Sequence, residues 1–175
     1  MRSIAAFAIM IIAITANAQS GEKAKESNRP NVRSEYDRSK DQTVVTINPE
    51  RVSTMVTGEF FMSAQAVYPG KKVSEKVQCV FWLIAHTDDG KLLRGDTTLR
   101  VVIDGEKISY GKMEQADSAD TAEGVREILV IKLTRAQFEK LANASQVEMQ
   151  VGSLEFKFRK SELADLKAFV ALIKP

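Results

Sequence analysis

An α+β domain, mostly antiparallel β and sandwich-like, with a short helix and a C-terminal helix packed on the sheet, is the fold class predicted for this chain. Three observations predict it. Between residues 43 and 158 the apolar residues recur mainly with a period of two, the spacing of half-buried strands. Gly-containing two-residue turns, Asp104-Gly105 and Gly152-Ser153, separate β-rich runs. Helical spacing is confined to two late segments, so strands and helices are gathered rather than alternating. A closed small barrel is the alternative arrangement of the same strands, because periodicity does not show whether a sheet closes.

The chain has 175 residues, 44% hydrophobic and 27% charged, which fits one globular domain with extensions. Its 25 basic and 23 acidic residues nearly cancel and no run of like charge marks a phosphate-binding face, so nucleic acid is not expected as a partner.

The N-terminus reads as a signal peptide over residues 1–18. Arg2 supplies the positive start, residues 4–14 are apolar and uncharged, and Ala16-Asn17-Ala18 provides small residues at the positions a signal peptidase reads. The apolar stretch is too short to span a bilayer comfortably, so no stable membrane span is expected after cleavage. No cysteine follows it to carry a lipid anchor. Cys79, the single cysteine, allows no internal disulfide, and stability must come from a packed core.

Residues 19–42 are expected to form a flexible polar linker, with six basic and five acidic residues and little apolar surface to offset ordering entropy. Within it, Tyr36 together with a strand at 43–47 is expected to clip the chain onto a single β-rich domain, residues 43–175. In "GEFFMSAQAVY" Phe60, Met62, Ala64, Ala66 and Tyr68 share one strand face, and in "VQCVFWLIAH" Val77, Cys79, Phe81, Leu83 and Ala85 do the same. "TLRVVIDGEKISY" predicts a hairpin about Asp104-Gly105. "GKMEQADSADTAEG" reads as a polar loop, and "REILVIKL" as a strand buried on both faces. Thr134-Arg135-Ala136-Gln137 matches a capping box opening a helix through about Ala142. "QVEMQVGSLEFKF" is a second hairpin, and a last helix opens at Ser161 with Leu163, Leu166, Val170 and Ile173 as its apolar stripe.

The candidate sites start with "FWLIAHTDDGKL", residues 81–92, which holds the only tryptophan and the only histidine. Turn chemistry explains Asp88-Asp89-Gly90 as the bend of a hairpin. The enzymatic alternative makes His86 a general base oriented by Asp88 or Asp89. That chemistry also needs a nucleophile and an oxyanion stabiliser; no Gly-x-Ser-x-Gly elbow occurs, and Cys79 falls on the predicted buried face as a small hydrophobe. No catalytic residue is therefore assigned. One histidine and one cysteine on opposite strand faces cannot complete a four-ligand zinc site. Asp117, Asp120 and Glu123 are candidate cation ligands but lack the EF-hand pattern, and no metal or cofactor is assigned. In "YPGKKVSEK", Tyr68, Lys71 and Lys72 are candidate contacts to an anionic ligand, against the reading of ordinary solubilising lysines. Phe156, Phe158 and Phe169 are candidate walls of an apolar cavity between sheet and last helix. Asn143-Ala144-Ser145 matches a glycosylation triplet.

The segments "YDRSKDQTVVTI" and "LTRAQFEKLANASQVEMQVGSLEFKF" with the closing helix resemble uncharacterised exported bacterial proteins. Those share a Tyr-Asp-x-x-x-Asp-x-Thr strand, a helix, a Val-x-x-x-Val-Gly-x-x-x-Phe hairpin and a last helix. The resemblance covers about residues 36–173 and departs at Ser39, where an aromatic is more usual; it implies a secreted or periplasmic domain and no catalytic residue. The resulting expectation is a non-enzymatic interaction or ligand-binding domain of the bacterial envelope, with an envelope protein or small ligand as partner. A hydrolase-like envelope enzyme using His86 with Asp88 or Asp89 is the alternative. Expressed in a bacterium, the mature chain is expected to begin at Gln19; N-terminal sequencing of the exported protein checks this, and an intact Met1 terminus contradicts it.

Overall fold

The computed structural model describes residues 31–55, 58–73, 77–88, 95–122 and 124–175. The expected signal peptide and the first part of the expected linker lie outside them. Among the described residues, ten strands form two antiparallel sheets, and two helices complete the α+β, sandwich-like fold expected from the sequence.

The larger sheet has the order β1-β2-β3-β4-β8-β7, made from β1 (Val32–Asp37), β2 (Gln42–Met55), β3 (Gly58–Pro69), β4 (Gln78–Thr87), β8 (Gly124–Leu133) and β7 (Glu114–Thr121). The smaller has the order β10-β9-β5-β6, made from β10 (Leu154–Lys157), β9 (Val147–Val151), β5 (Thr98–Ile103) and β6 (Glu106–Lys112). Helix α1 (Arg135–Asn143) connects β8 in one sheet to β9 in the other, and α2 (Lys160–Leu172) closes the described chain. The inward residues of both sheets share one core with Phe138 and Leu141 of α1 and Leu166 and Phe169 of α2. Phe60, Met62, Ala64, Ala66, Phe81, Leu83 and Ala85, all predicted to face inward, are completely buried. Each fully buried Phe or Leu contributes roughly 1.5–3 kcal/mol, so this stripe alone outweighs any surface contact described below.

Local chemistry accounts for the turns. Asp104 (φ 49°) and Gly105 (φ 90°) both take the positive φ that a type I′ hairpin requires. The Asp104 carboxylate also accepts the backbone N–H groups of Ser145 and Gln146, tying this hairpin to the end of α1. Thr134 caps α1 and Gln137 reciprocates on the Thr134 backbone, the predicted capping box.

Five sequence expectations need correction. The linker does not run to residue 42: Val32–Asp37 is strand β1, paired with β2 from Val32↔Ile47 to Asp37↔Gln42. Tyr36-Asp37 and Asp41 close that hairpin, since Asp37 accepts from the Ser39 and Lys40 backbones and the Tyr36 hydroxyl donates to Asp41 at 2.7 Å. The polar loop at 111–124 contains β7, an edge strand held by main-chain pairing to β8, whose exposed charges suit an edge that must not recruit another strand. β4 does not form the expected hairpin with the next described strand: it pairs with β3 and β8, and β5 belongs to the other sheet, while residues 89–92 lie outside the described residues. β8 is buried on one face only: Leu129, Ile131 and Leu133 face inward while Ile128 and Val130 are half-buried outward. Helix α2 opens one residue before Ser161, with Arg159 as its N-cap, because the Glu162 carboxylate captures the Arg159 backbone N–H.

Gly124 marks a tight approach in the larger sheet. Its φ is +123°, and a Cβ there would sit 2.4 Å from the Thr87 carbonyl oxygen of β4. Gly124→Ala is expected to cost about 2 kcal/mol or more through backbone strain, whereas Gly70→Ala, with nothing within 4 Å of its Cβ, should cost about 1 kcal/mol. Urea unfolding midpoints check the difference.

Candidate functional site: the outward face of the six-stranded sheet

Because strand side chains alternate, the register that sends Phe81, Leu83 and Ala85 inward sends Val80, Trp82, Ile84 and His86 outward. The neighbouring strands put apolar residues in the same rows. Phe61, Ile84 and Ile128 stand side by side across β3, β4 and β8, and Trp82 stands beside Val130. None of these five belongs to the core cluster, so they form a second apolar area on the opposite side of the sheet. Ile84 is 9% exposed and the others are half-buried. The Trp82 indole N–H is shielded from water and has no acceptor among the described residues.

Charge borders this strip in a pattern set by the same register. The row through Phe61, Ile84 and Ile128 starts at Arg51 on β2 and ends at Asp117 on β7. The next row holds Glu59, His86 and Arg126. Arg51 pairs with Glu59 at 2.6 Å and Arg126 with Asp117 at 2.8 Å. Such surface pairs contribute only about 0–1 kcal/mol each, so their effect is on the shape and polarity of the rim more than on stability. An apolar middle bearing aromatics and a charged rim containing Arg is the composition of protein interfaces.

His86 is exposed on this face, and its ring lies against Phe61 with centroids 5.5 Å apart. Asp88 is exposed just past the end of β4, and Asp89 lies outside the described residues. The cross-strand neighbours of His86 are Glu59 and Arg126, not an aspartate from the turn. Cys79 is 3% exposed on the inward face, remote from the histidine by strand alternation. Burial pushes its thiol up to about 11, the reverse of an activated nucleophile.

The cation and anion candidates are dispersed. Asp117 is committed to Arg126 on the outward face, while register places the exposed Asp120 on the other face of β7. Glu123 lies outside the described residues, and among those no group of three acidic, His or Cys side chains is placed to hold a metal. Tyr68 is buried inward at 5% exposure, so it does not share a surface with Lys71 and Lys72. Lys71 instead lies 4.9 Å above the Tyr36 ring, reinforcing the β1–β2 hairpin. Phe156 stacks on Phe158, and Phe169 meets Phe138 of α1 at 5.2 Å; all four are buried core rings. A shallow depression of about 710 Å³ lies over the smaller sheet, bordered by Arg100, Lys107, Glu148 and Lys157.

The residues that sequence reasoning missed here are Phe61, Ile128 and Val130. Their signal was present: β3, β4 and β8 carry apolar residues at both parities, which a one-sided strand does not need. The buried thiol yields a direct check. In the folded protein at pH 8, with its thiol buried and its pKa raised by that burial, Cys79 is expected to resist a disulfide exchange reagent and to react fully once urea is added. Rapid reaction without denaturant contradicts the placement.

Comparison with protein-family models, with curated proteins and with solved structures gives no match for this chain.

Proposed function

We propose that this chain is an exported, non-enzymatic interaction domain of the bacterial envelope whose recognition surface is the outward face of the six-stranded sheet. The observation that supports the reading most is the strip formed by Phe61, Trp82, Ile84, Ile128 and Val130, apolar yet outside the core. Soluble domains seldom keep a contiguous apolar area of this kind without a partner for it. The surface is the face of a sheet, which favours a protein surface over a small ligand enclosed in a pocket. Export rests on the charged start, apolar run and small-residue site of residues 1–18.

The enzymatic reading receives little support from the same residues. His86 has aromatic and charged neighbours but no nucleophile among them, and the thiol is on the inward face.

A photo-crosslinking residue placed at Val130 of the full chain, in cells, tests the proposal. One recurrent protein adduct is expected from Val130 and not from Gln150, which faces away on the smaller sheet. Phe61→Asp should reduce that adduct at least tenfold, the size expected for losing an interface anchor worth about 1.4 kcal/mol or more, with the circular dichroism spectrum unchanged. Equal labelling from both positions, or an adduct indifferent to Phe61→Asp, overturns the assignment of this face.

A further inference from the structure

The start of α2 buries two carboxyl groups. Glu162 is 1% exposed and Asp165 4%. A third carboxyl arrives from β2 through a bulge. Ile47 pairs with Ala64, but the next pair inward is Glu50 with Met62, so one extra residue is inserted about Asn48-Pro49. Plain alternation from Ile47 would point Glu50 outward; the insertion turns it toward α2. Proline suits the bulge because a bulged residue owes no ladder N–H.

Arg159 is set among the three. Its Nη2 donates to Glu50 Oε1 at 3.1 Å and to the Arg51 carbonyl at 2.9 Å, and its Nε donates to Glu162 Oε1 at 2.7 Å. Asp165 is used differently: its Oδ1 accepts the backbone N–H of Asn31 at 2.7 Å, just ahead of β1. Asn31 is further tied to Asn48, whose side chain donates to Asn31 Oδ1 at 2.9 Å. Glu50 Oε2 is closed off from water with no hydrogen-bond partner among the described residues, and the Asp165 carboxyl lies near enough to act on it. Three carboxyl groups gathered about one guanidinium are accommodated when one of them carries a proton.

We propose that Glu50 and Asp165 form a proton-operated clasp that fastens the beginning of β1 to α2. With Glu50 protonated, Asp165 Oδ1 accepts the Asn31 backbone N–H and the strand is held. When the proton leaves, three carboxylates face one guanidinium, and repulsion separates Glu50 from Asp165 and loosens the Asn31 contact. The start of β1 is joined to α2 here, so the clasp makes the seating of that strand end responsive to pH. Among the described residues, Arg51 on β2 is paired with Glu59 of β3 and Arg33 on β1 with Glu35, while Glu162 and Arg159 act on Glu50.

Burial, the Asp165 contact and the Glu162 charge hold the Glu50 carboxyl up to about 7 against the pull of Arg159. A carboxyl raised in the folded state binds its proton more tightly there than in the unfolded chain. Its contribution is therefore complete below the ordinary value of 4.5 and is lost as pH rises through about 7.

The test follows the Asn31 amide of the full chain by NMR from pH 5.5 to 8.5, with the Glu50 side-chain carboxyl carbon observed in parallel. Both resonances should shift with one midpoint near 7. In Glu50→Gln the Asn31 amide should stay at its low-pH position throughout, and the thermal midpoint, which falls with pH in the wild type, should lose that slope. In Asp165→Asn the amide should not reach the low-pH position at any pH. An Asn31 amide that does not move in the wild type overturns the clasp without need of a variant. So does a midpoint that persists in Glu50→Gln, because another group then titrates.

Discussion

The alignment of β4 between β3 and β8 is the constraint on which the rest of the molecule depends. Rows such as Met62-Leu83-Leu129 and Ala64-Phe81-Ile131 cross the middle of the larger sheet and form the floor of the core. A slip of one residue would exchange this set for Phe61, Trp82, Ile84 and His86, placing an imidazole and an indole N–H against the smaller sheet. The cost of burying such groups without partners, added to the lost apolar burial, makes the observed register the stable one. The same alignment builds the outward strip, so core and candidate surface are two consequences of one pairing.

The second determinant is the bulge in β2. A long strand with strict alternation would present Glu50 to solvent and meet α2 with an apolar residue. The inserted residue instead brings a carboxyl to a helix end that already holds Glu162 and Asp165. Helix N-termini favour negative charge, and Glu162 at the third position also satisfies the Arg159 backbone N–H. Asp165 lies beyond that first turn, and its burial is balanced by the Asn31 backbone N–H. Buried ionisable groups of this kind add little net stability compared with apolar residues, which is consistent with a role in coupling β1 to α2.

The two edges of the larger sheet show how composition follows position. β7 is acidic and polar because an edge strand needs main-chain pairing on one side and protection on the other. The β1–β2 hairpin is held by Asp37, Asp41, Tyr36 and Lys71, groups too polar to advertise a strand. Both elements owe their conformation to a neighbour more than to their own hydrophobic pattern.

By itself the sequence determined the inward faces of β3, β4, β9 and β10, the Asp104-Gly105 turn, the capping box at Thr134 and the apolar stripe of α2. Each is specified by residues within one turn or one strand of each other, so local spacing carries the information. What only the tertiary structure decided involves residues far apart in the chain. The strand character of residues 32–37 depends on β2, and the crossing from β4 to the other sheet depends on β8 claiming the second edge of β4. Trp82 and His86 could be assigned to one face from alternation, but joining them to Phe61, Ile128 and Val130 required the pairing of three strands. Glu50 and Asp165 meet across more than a hundred residues and through a bulge, and no periodicity within either segment encodes that contact.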